Sequence, residues 1–209
     1  MKTIVFIGGV HGRSGTTIMK RLLCLSPDVS WVLGAETQYM EMLADLMPYI
    51  IDTVSYLPRN AGLAFNQFKG NILKRFEMTK GVEEALVFLE DKLSSDKIFV
   101  PRFGKINLIR PLSEQKASEI FSEFTSRLFN QALITSGARI ACEKTPSNAQ
   151  YIKLAHTLFP DTKMIVMIRH PLKTALSFLP KDWGPSNPID AAHYTHLYHT
   201  RWRSVIGTI

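Results

Sequence analysis

Cysteine is scarce in this chain of 209 residues, which contains only Cys24 and Cys142. Two cysteines cannot build the disulfide framework of a small secreted domain, and their spacing matches no zinc-binding pattern. We therefore expect both thiols to be reduced and the protein to be cytoplasmic.

Long apolar runs are also missing. No stretch approaches the roughly 18–20 apolar residues that a membrane-spanning helix needs. The first apolar run is short and leads directly into glycine, which is typical of a buried strand and not of a secretory signal. We expect no membrane segment in this chain.

Acidic residues are outnumbered, with 18 Asp and Glu against 25 Lys and Arg, which gives a formal net charge of +7. Such a balance favours anionic ligands or acidic partners. No basic stripe is interleaved with aromatic residues and no nucleic-acid motif is present, so we expect no nucleic-acid partner. The hydrophobic fraction of 45% and the length suit one soluble domain with a core.

The loop after the first apolar run lacks the lysine of a Walker A motif. That motif has the form GxxxxGK[ST], and the matching window here is VHGRSGTT, residues 10–17. Gly15 and Thr17 fit the closing glycine and hydroxyl. Val10 replaces the first glycine, and Thr16 replaces the lysine.

The residues that are present in this loop nevertheless suit an anion. A helix is predicted to begin at the end of the loop, so the backbone amides of residues 14–17 would point at a ligand. The side chains that would add to these amides beside Gly15 are the guanidinium of Arg13 and the hydroxyls of Ser14, Thr16 and Thr17. The alternative is a glycine turn without a ligand.

The rest of the chain alternates between helical and extended patterns. Residues 3–9 and 30–37 are predicted as strands, the second with a turn, and residues 16–27 as a helix. Residues 41–93 are mostly helical with breaks at 56–62 and 79–84, and residues 97–107 form a loop or a strand. A helix is predicted over residues 113–137, capped by Ser113 and ended by Gly137.

The last third of the chain indicates the fold class. Residues 139–143 and 163–168 are predicted as strands that flank a helix, which makes a βαβ unit and a parallel sheet. Residues 179–188 follow as a loop and residues 190–207 as a helix. No linker divides the chain, so we predict one α/β domain.

Charged and hydroxyl side chains follow the predicted strands. Arg169 lies just past a buried strand, where ligands of open α/β sheets bind, and Ser177 follows about two helical turns later. Lys144 ends another strand and would project into the same crevice. Taken singly, each has a plain structural alternative, such as an ion pair at a strand end or a surface hydroxyl.

Together these stretches resemble the PAPS-dependent sulfotransferases, where PAPS is 3′-phosphoadenosine 5′-phosphosulfate. FIGGV, RSGTT and GAET near the start and EKTPSN with FPDTKMIVMIRHPLKTALS later carry the resemblance. It is sharp over residues 4–37 and 139–178, loose between them, and closest to the branch of the protein-tyrosine and bacterial sulfotransferases. It implies a P-loop-NTPase-like, three-layer α/β/α fold with a central, mostly parallel sheet.

The resemblance also implies roles. The residues that match the family's site for the 5′-phosphosulfate are Arg13, Ser14, Gly15, Thr16 and Thr17, and those that match its 3′-phosphate site are Arg169 and Ser177. Glu36 matches the catalytic glutamate and Lys144 the catalytic lysine, with Arg13 as a second catalytic cation. Sulfuryl transfer resembles phosphoryl transfer but moves less negative charge, so no metal is expected.

Several positions depart from the family pattern. Gly12 stands where proline is usual, and His170 where aspartate or asparagine is common. Leu33 fills the position of a cysteine that pairs, in the tyrosine sulfotransferases, with one at the position of Cys142. Family members usually continue further, so we expect residues 1–209 to be a single sulfotransferase-like domain without the usual C-terminal segment and with a helical insertion at about 40–137.

These observations predict transfer of a sulfuryl group from PAPS to a hydroxyl of a protein tyrosine, a glycan or a small molecule, with an acidic acceptor mildly favoured by the net charge. The alternatives are a P-loop kinase or NTPase, and a non-catalytic remnant that binds nucleotide. His193, His196 and His199 recur every three residues in the last helix, a pattern more typical of a polar helix face than of a metal site. The oligomeric state is left open.

Overall fold

The computed structural model describes residues 3–32, 36–51, 58–76, 79–95, 99–102, 105–108 and 112–207. Its strands are β1 (Thr3–Gly9), β2 (Val29–Trp31), β3 (Phe99–Arg102), β4 (Lys105–Leu108), β5 (Ile140–Lys144) and β6 (Lys163–Met167). Its helices are α1 (Thr16–Leu23), α2 (Tyr39–Ile51), α3 (Pro58–Arg75), α4 (Lys80–Ser95), α5 (Glu114–Ser136), α6 (Ile152–Leu158), α7 (Pro171–Phe178) and α8 (Pro188–Ile206), with a 3-10 helix at Pro146–Tyr151.

The main sheet has the strand order β2-β5-β1-β6, and all neighbouring strands are parallel. Thr3 pairs with Ile140, and Gly9 pairs with Met167. Helices pack against this sheet, which confirms the predicted three-layer α/β/α class. The predicted strands β5 and β6 are parallel, but β1 lies between them, so they are not direct neighbours.

Strand β1 occupies the centre of the sheet because its residues are apolar without alternation. Phe6 and Ile7 are fully buried. The ring of Phe6 packs edge-on against Phe129 of α5 at 5.8 Å and contacts Phe159 at 6.3 Å between ring centroids. The apolar faces of α2, α3, α4 and α5 extend the same core.

Helix α5 confirms the sequence prediction at both ends. The Oγ of Ser113 accepts a hydrogen bond from the amide of Lys116 at 3.2 Å, as an N-cap does. Gly137 has a φ of 72°, a left-handed conformation that glycine adopts at helix ends without steric cost.

Other boundaries differ from the prediction. Helix α1 ends at Leu23 and not at residue 27, because the chain turns at residues 24–26 to enter β2. Helices α3 and α4 begin within the predicted breaks, α3 at Pro58, since proline suits the first helical turn. Within residues 97–107, β3 and β4 pair as an antiparallel two-stranded sheet, which favours the strand alternative.

Within the described part of the chain, no helix is both long and apolar enough to cross a membrane.

Candidate active site

The candidate site lies at one edge of the main sheet. Because the four strands are parallel, their carboxyl ends meet at this edge, where ligands of open α/β sheets bind. The segments that leave these ends carry Arg13 after β1, Glu36 after β2, Lys144 at the end of β5 and Arg169 after β6. Residues far apart in the chain are thus brought to one place.

The loop after β1 has the backbone of an anion-binding turn. Gly15 is the N-cap of α1 with a φ of 98°, and Arg13 has a φ of 68°, so both lie in the left-handed region. The first amides of a helix have no intrahelical acceptor, and those of α1 follow the loop that leaves this sheet edge. Ser14 and Thr16 are buried, whereas Arg13 and Thr17 are exposed.

Two glycines at the end of β1 permit close packing beneath this loop. A Cβ on Gly8 would lie 2.3 Å from the amide nitrogen of Ala149 in the 3-10 helix. A Cβ on Gly9 would lie 2.8 Å from the carbonyl oxygen of His11. The GG pair therefore lets the loop and the 3-10 helix both approach the end of β1.

His11 is a buried support of the loop that the sequence analysis did not single out. Its Nδ1 lies 2.7 Å from the carbonyl oxygen of Gly12 and 2.9 Å from the Oγ of Ser14, which itself donates to the carbonyl of His11. Nδ1 therefore carries the proton, since a carbonyl only accepts. Burial lowers the pKa of His11, and the nearby charges of His199 and Arg169 act in the same direction.

The ring of His11 also joins the loop to the last two helices. Its centroid lies 5.2 Å from that of His199 on α8 and 6.3 Å from that of Phe178 on α7. His199 was expected on a polar helix face, but the structure places its ring against His11.

Arg169 connects the two predicted anion-binding elements. Its Nη1 donates to the carbonyl oxygen of Arg13 at 3.1 Å. Directly after it, the Nδ1 of His170 accepts from the amide of Leu172 at 3.2 Å and caps α7, with Pro171 at the first helical position. His170 thus caps α7, a role that aspartate and asparagine commonly fill at helix N-termini.

Ser177 lies on α7, about two turns after Arg169. Its hydroxyl is half-buried and donates to the carbonyl of Thr174 at 2.8 Å. The structure therefore places Ser177 on the expected helix, but the hydrogen bond described for it stays within that helix and does not join it to Arg169.

Lys144 and Glu36 form an ion pair between the Nζ of the lysine and Oε1 of the glutamate. The side chain of Lys144 is only 7% exposed, while that of Glu36 is 44% exposed. Lys144 pairs in register with Ile7 of β1, close to the start of the anion-binding loop. A carboxylate open to solvent is thereby held against a buried ammonium group.

Glu143, next to Lys144, was also missed. Its carboxyl is fully buried and accepts four hydrogen bonds, from the amide and hydroxyl of Thr37, the hydroxyl of Thr145 and the side-chain amide of Asn148. Burial raises the pKa of Glu143, while these hydrogen bonds act against that rise. The available sequence signal for this buried carboxyl was an acidic residue within an otherwise apolar predicted strand.

Cys24 and Cys142 are both free thiols, as predicted. In the described ranges, no group of three or more His, Cys, Asp or Glu side chains is arranged to hold a metal ion.

The chain is similar to one known protein family and to several solved structures. The model of the Sulfotransferase family matches residues 5–204. Among solved structures, the sulfotransferase domain from the curacin biosynthetic pathway is 15% identical, with a TM-score of 0.47 over all of this chain and 64% of that chain. No curated protein sequence matches.

Two mycobacterial structures are also similar over all of this chain. Sulfotransferase STF1 from Mycobacterium tuberculosis H37Rv is 14% identical, with a TM-score of 0.40 and 60% of its own length covered. Sulfotransferase STF9 from Mycobacterium avium is 20% identical, with a TM-score of 0.40 and 56% covered. The chain thus spans less than two thirds of each of these structures.

Proposed function

Since the chain belongs to the sulfotransferase family, we propose that it transfers the sulfuryl group of PAPS to the hydroxyl of an acceptor. The observation that carries this proposal is the position of the Lys144–Glu36 ion pair. It lies at the same sheet edge as the loop between β1 and α1, which suits an anion but has no Walker lysine. A base and a buried cation thus lie beside a site suited to a charged donor.

The donor side of the proposed site consists of the loop after β1 and the segment after β6. The loop amides and the exposed guanidinium of Arg13 suit the 5′-phosphosulfate. Arg169 is exposed and already contacts the loop, so it suits the 3′-phosphate of the same molecule. Ser177 would join Arg169 there by turning its hydroxyl away from the carbonyl of Thr174.

Ser14 would serve the donor chiefly through its backbone amide. Its hydroxyl is buried and engaged with His11, which fixes the shape of the loop. Thr17 is exposed at the start of α1. Its hydroxyl would donate to a phosphate oxygen, next to the amides of Gly15 and Thr16.

The acceptor side consists of Glu36 and Lys144. In the proposed step the acceptor oxygen bonds to the sulfur, and the bond between sulfur and the oxygen of the 5′-phosphate breaks. The electron pair of that bond leaves with adenosine 3′,5′-bisphosphate (PAP), and the acceptor proton passes to the Glu36 carboxylate. Lys144 and Arg13 stabilise negative charge on the departing phosphate and the moving sulfuryl group.

This chemistry needs no metal from the protein. The sulfuryl group carries less negative charge than a γ-phosphoryl group, and fixed cations suffice to stabilise its transfer. We infer that donor binding is independent of Mg²⁺.

We also propose the class of acceptor, the extent of the domain and the cellular compartment. The acceptor is a hydroxyl of a protein tyrosine, a glycan or a small molecule, with an acidic one favoured by the net charge of +7. Residues 1–209 are proposed as one sulfotransferase-like domain, in which about 40–137 form a helical insertion, working in the cytoplasm.

Calorimetric titration with PAP, beside ADP with and without Mg²⁺, tests the proposal. We expect metal-independent binding of PAP that is lost in Arg169→Ala and kept in the matched surface variant Arg127→Ala. Preference for ADP with Mg²⁺ would contradict the proposal and support a P-loop kinase or NTPase. Binding of PAP without transfer from PAPS to any acceptor would support a non-catalytic remnant.

A further inference from the structure

Glu143 is a buried carboxyl group that the proposed transfer step does not use. Its Oε1 accepts from the Thr37 hydroxyl at 2.9 Å, the Thr37 amide at 3.3 Å and the Thr145 hydroxyl at 2.7 Å. Its Oε2 accepts from the Nδ2 of Asn148 at 2.6 Å. Such a dense set of partners around one carboxyl group calls for a role.

The directions of these hydrogen bonds are fixed by their surroundings. The hydroxyl of Thr37 accepts from the amide of Tyr39 at 3.3 Å, and the hydroxyl of Thr145 accepts from the amide of Gln38 at 3.0 Å. Each hydroxyl therefore has its own proton available to point at Glu143. All four contacts are then donations to the carboxyl group, which matches the ionised form and leaves no acceptor for a carboxyl proton.

The partners of Glu143 lie in the segment after Glu36 and in the segment after Lys144, the two residues of the acceptor side. Thr37 directly follows Glu36, and Lys144 directly follows Glu143. Asn148 also donates to the carbonyl oxygen of Ile7, which fastens this group of residues to β1 at 3.2 Å. Glu143 thus lies on a short path between Glu36 and Lys144, beside the direct bond from the Gln38 amide to the hydroxyl of Thr145.

We propose that Glu143 is a positioning residue, which as a buried carboxylate holds the segment after Glu36 against the end of β5 and so aligns Glu36 with Lys144. Its catalytic meaning rests on the proposed function, whereas the alignment itself is a property of the fold. A misplacement of about 1 Å between reacting groups is enough to cost about 100-fold in rate.

The test observes the ion pair without any substrate. Lys144 is buried and paired, so its ammonium group is expected to give a slowly exchanging ¹⁵Nζ resonance, assigned by its loss in Lys144→Arg. In Glu143→Gln the amide group would oppose the donor of Asn148, and in Thr37→Val the hydroxyl donor is removed. We expect the Lys144 resonance to broaden beyond detection or shift strongly in both variants.

Two further variants separate alignment from general stability. Thr37→Ser keeps the hydroxyl and is expected to retain the wild-type resonance. Thr125→Val removes an equally buried hydroxyl, which bonds to the hydroxyl of Tyr39 and the carbonyl of Phe121 and not to Glu143. This variant is expected to lower stability without moving the resonance. If Glu143→Gln does not fold, Thr37→Val and Thr37→Ser still decide the question.

An unchanged Lys144 resonance in folded Thr37→Val and Glu143→Gln would overturn the proposal, as would the lack of such a resonance in the wild-type protein. PAP calorimetry on the same variants is expected to give wild-type affinity, because the donor loop and Arg169 have other supports. If the wild-type protein itself failed to bind PAP, the proposed function would fail while the resonance would still report on Glu143.

Discussion

At the scale of single residues, the two sides of the proposed site are supported by different buried groups. His11 fastens the donor loop through Ser14, and Glu143 fastens the acceptor side through Thr37. Both are fully buried, and neither faces the solvent from which a substrate would enter. The exposed residues Arg13, Glu36 and Arg169 are therefore positioned by residues behind them.

Glu36 and Lys144 are expected to be needed for transfer and not for donor binding. Glu36→Gln and Lys144→Gln should each lower the transfer rate from PAPS by about 100-fold or more, the range for loss of a general base or a fixed cation. PAP affinity by calorimetry should stay near that of the wild type, and the exposed control Glu119→Gln should behave as wild type. Transfer at the parent rate in both variants would show that their roles are assigned wrongly.

His11 gives the fold a pH dependence with a definite sign. Burial lowers its pKa below the ordinary 6.5, and the pKa of His199 is lowered in the same way. The unfolded chain then binds more protons, so this stability is present above pH 6.5 and is lost as the pH falls below it toward the folded pKa. Melting temperatures of wild type and His11→Gln between pH 8 and 5, about 1–2 units either side of the unfolded pKa, should converge as the pH falls.

A wild-type protein that keeps the same advantage over His11→Gln across this range would contradict the assignment. The comparison of the two proteins also removes the contribution of Glu143, whose raised pKa affects stability with the opposite sign.

At the scale of elements, the ends of α5 are local features with measurable energies. Ser113→Ala should cost about 1 kcal/mol in the free energy of unfolding, because it removes the bond to the Lys116 amide. Gly137→Ala should cost about 1–2 kcal/mol, because its φ of 72° strains any residue with a Cβ. Urea denaturation measures both losses, with Gln115→Ala as the exposed control. Losses no larger than that of the control would contradict the stabilising roles of Ser113 and Gly137.

The two thiols lie in different elements, Cys142 within β5 and Cys24 at the end of α1, and are expected to differ in reactivity. Burial raises the pKa of Cys142 to about 12, and the side chain is enclosed within the sheet. Cys24 is partly exposed at the end of α1. Iodoacetamide should therefore add one label to the native protein and two in urea, as counted by intact mass, and Cys24→Ser should abolish the native label. A second native label would contradict the burial of Cys142.

The same elements show what local sequence can predict. The caps Ser113 and Gly137 and the apolar strand β1 were predicted because their signals lie within a few neighbouring residues. The placement of β1 between β5 and β6 was not, because Thr3 pairs with Ile140, far along the chain. The starts of α3 and α4 were missed because a proline or glycine in the first helical turn looks the same in sequence as a loop.

At the scale of the whole molecule, the residues chosen by their resemblance to the family lie together at one sheet edge, with Ser177 bonded within its own helix. The resemblance named groups that would touch substrate, some exposed, such as Arg13, and some buried, such as Lys144. It did not name His11 or Glu143, because the ring of His199 against His11 and the hydroxyl of Thr37 on Glu143 come from distant segments. Only the fold shows that both residues are buried. Buried polar residues that position a site have weak sequence signals, since a single polar residue in or after a strand has many possible explanations.

The strand order has a consequence for the protein during its synthesis. Strand β1 leaves the ribosome well before both of its neighbours, which begin at Ile140 and Lys163. At 5–20 residues per second, the central strand waits on the order of ten seconds with both edges unpaired. A nascent chain halted before residue 140 should therefore be bound by chaperones through the segment TIVFIGG, and release of that segment should coincide with the emergence of β6.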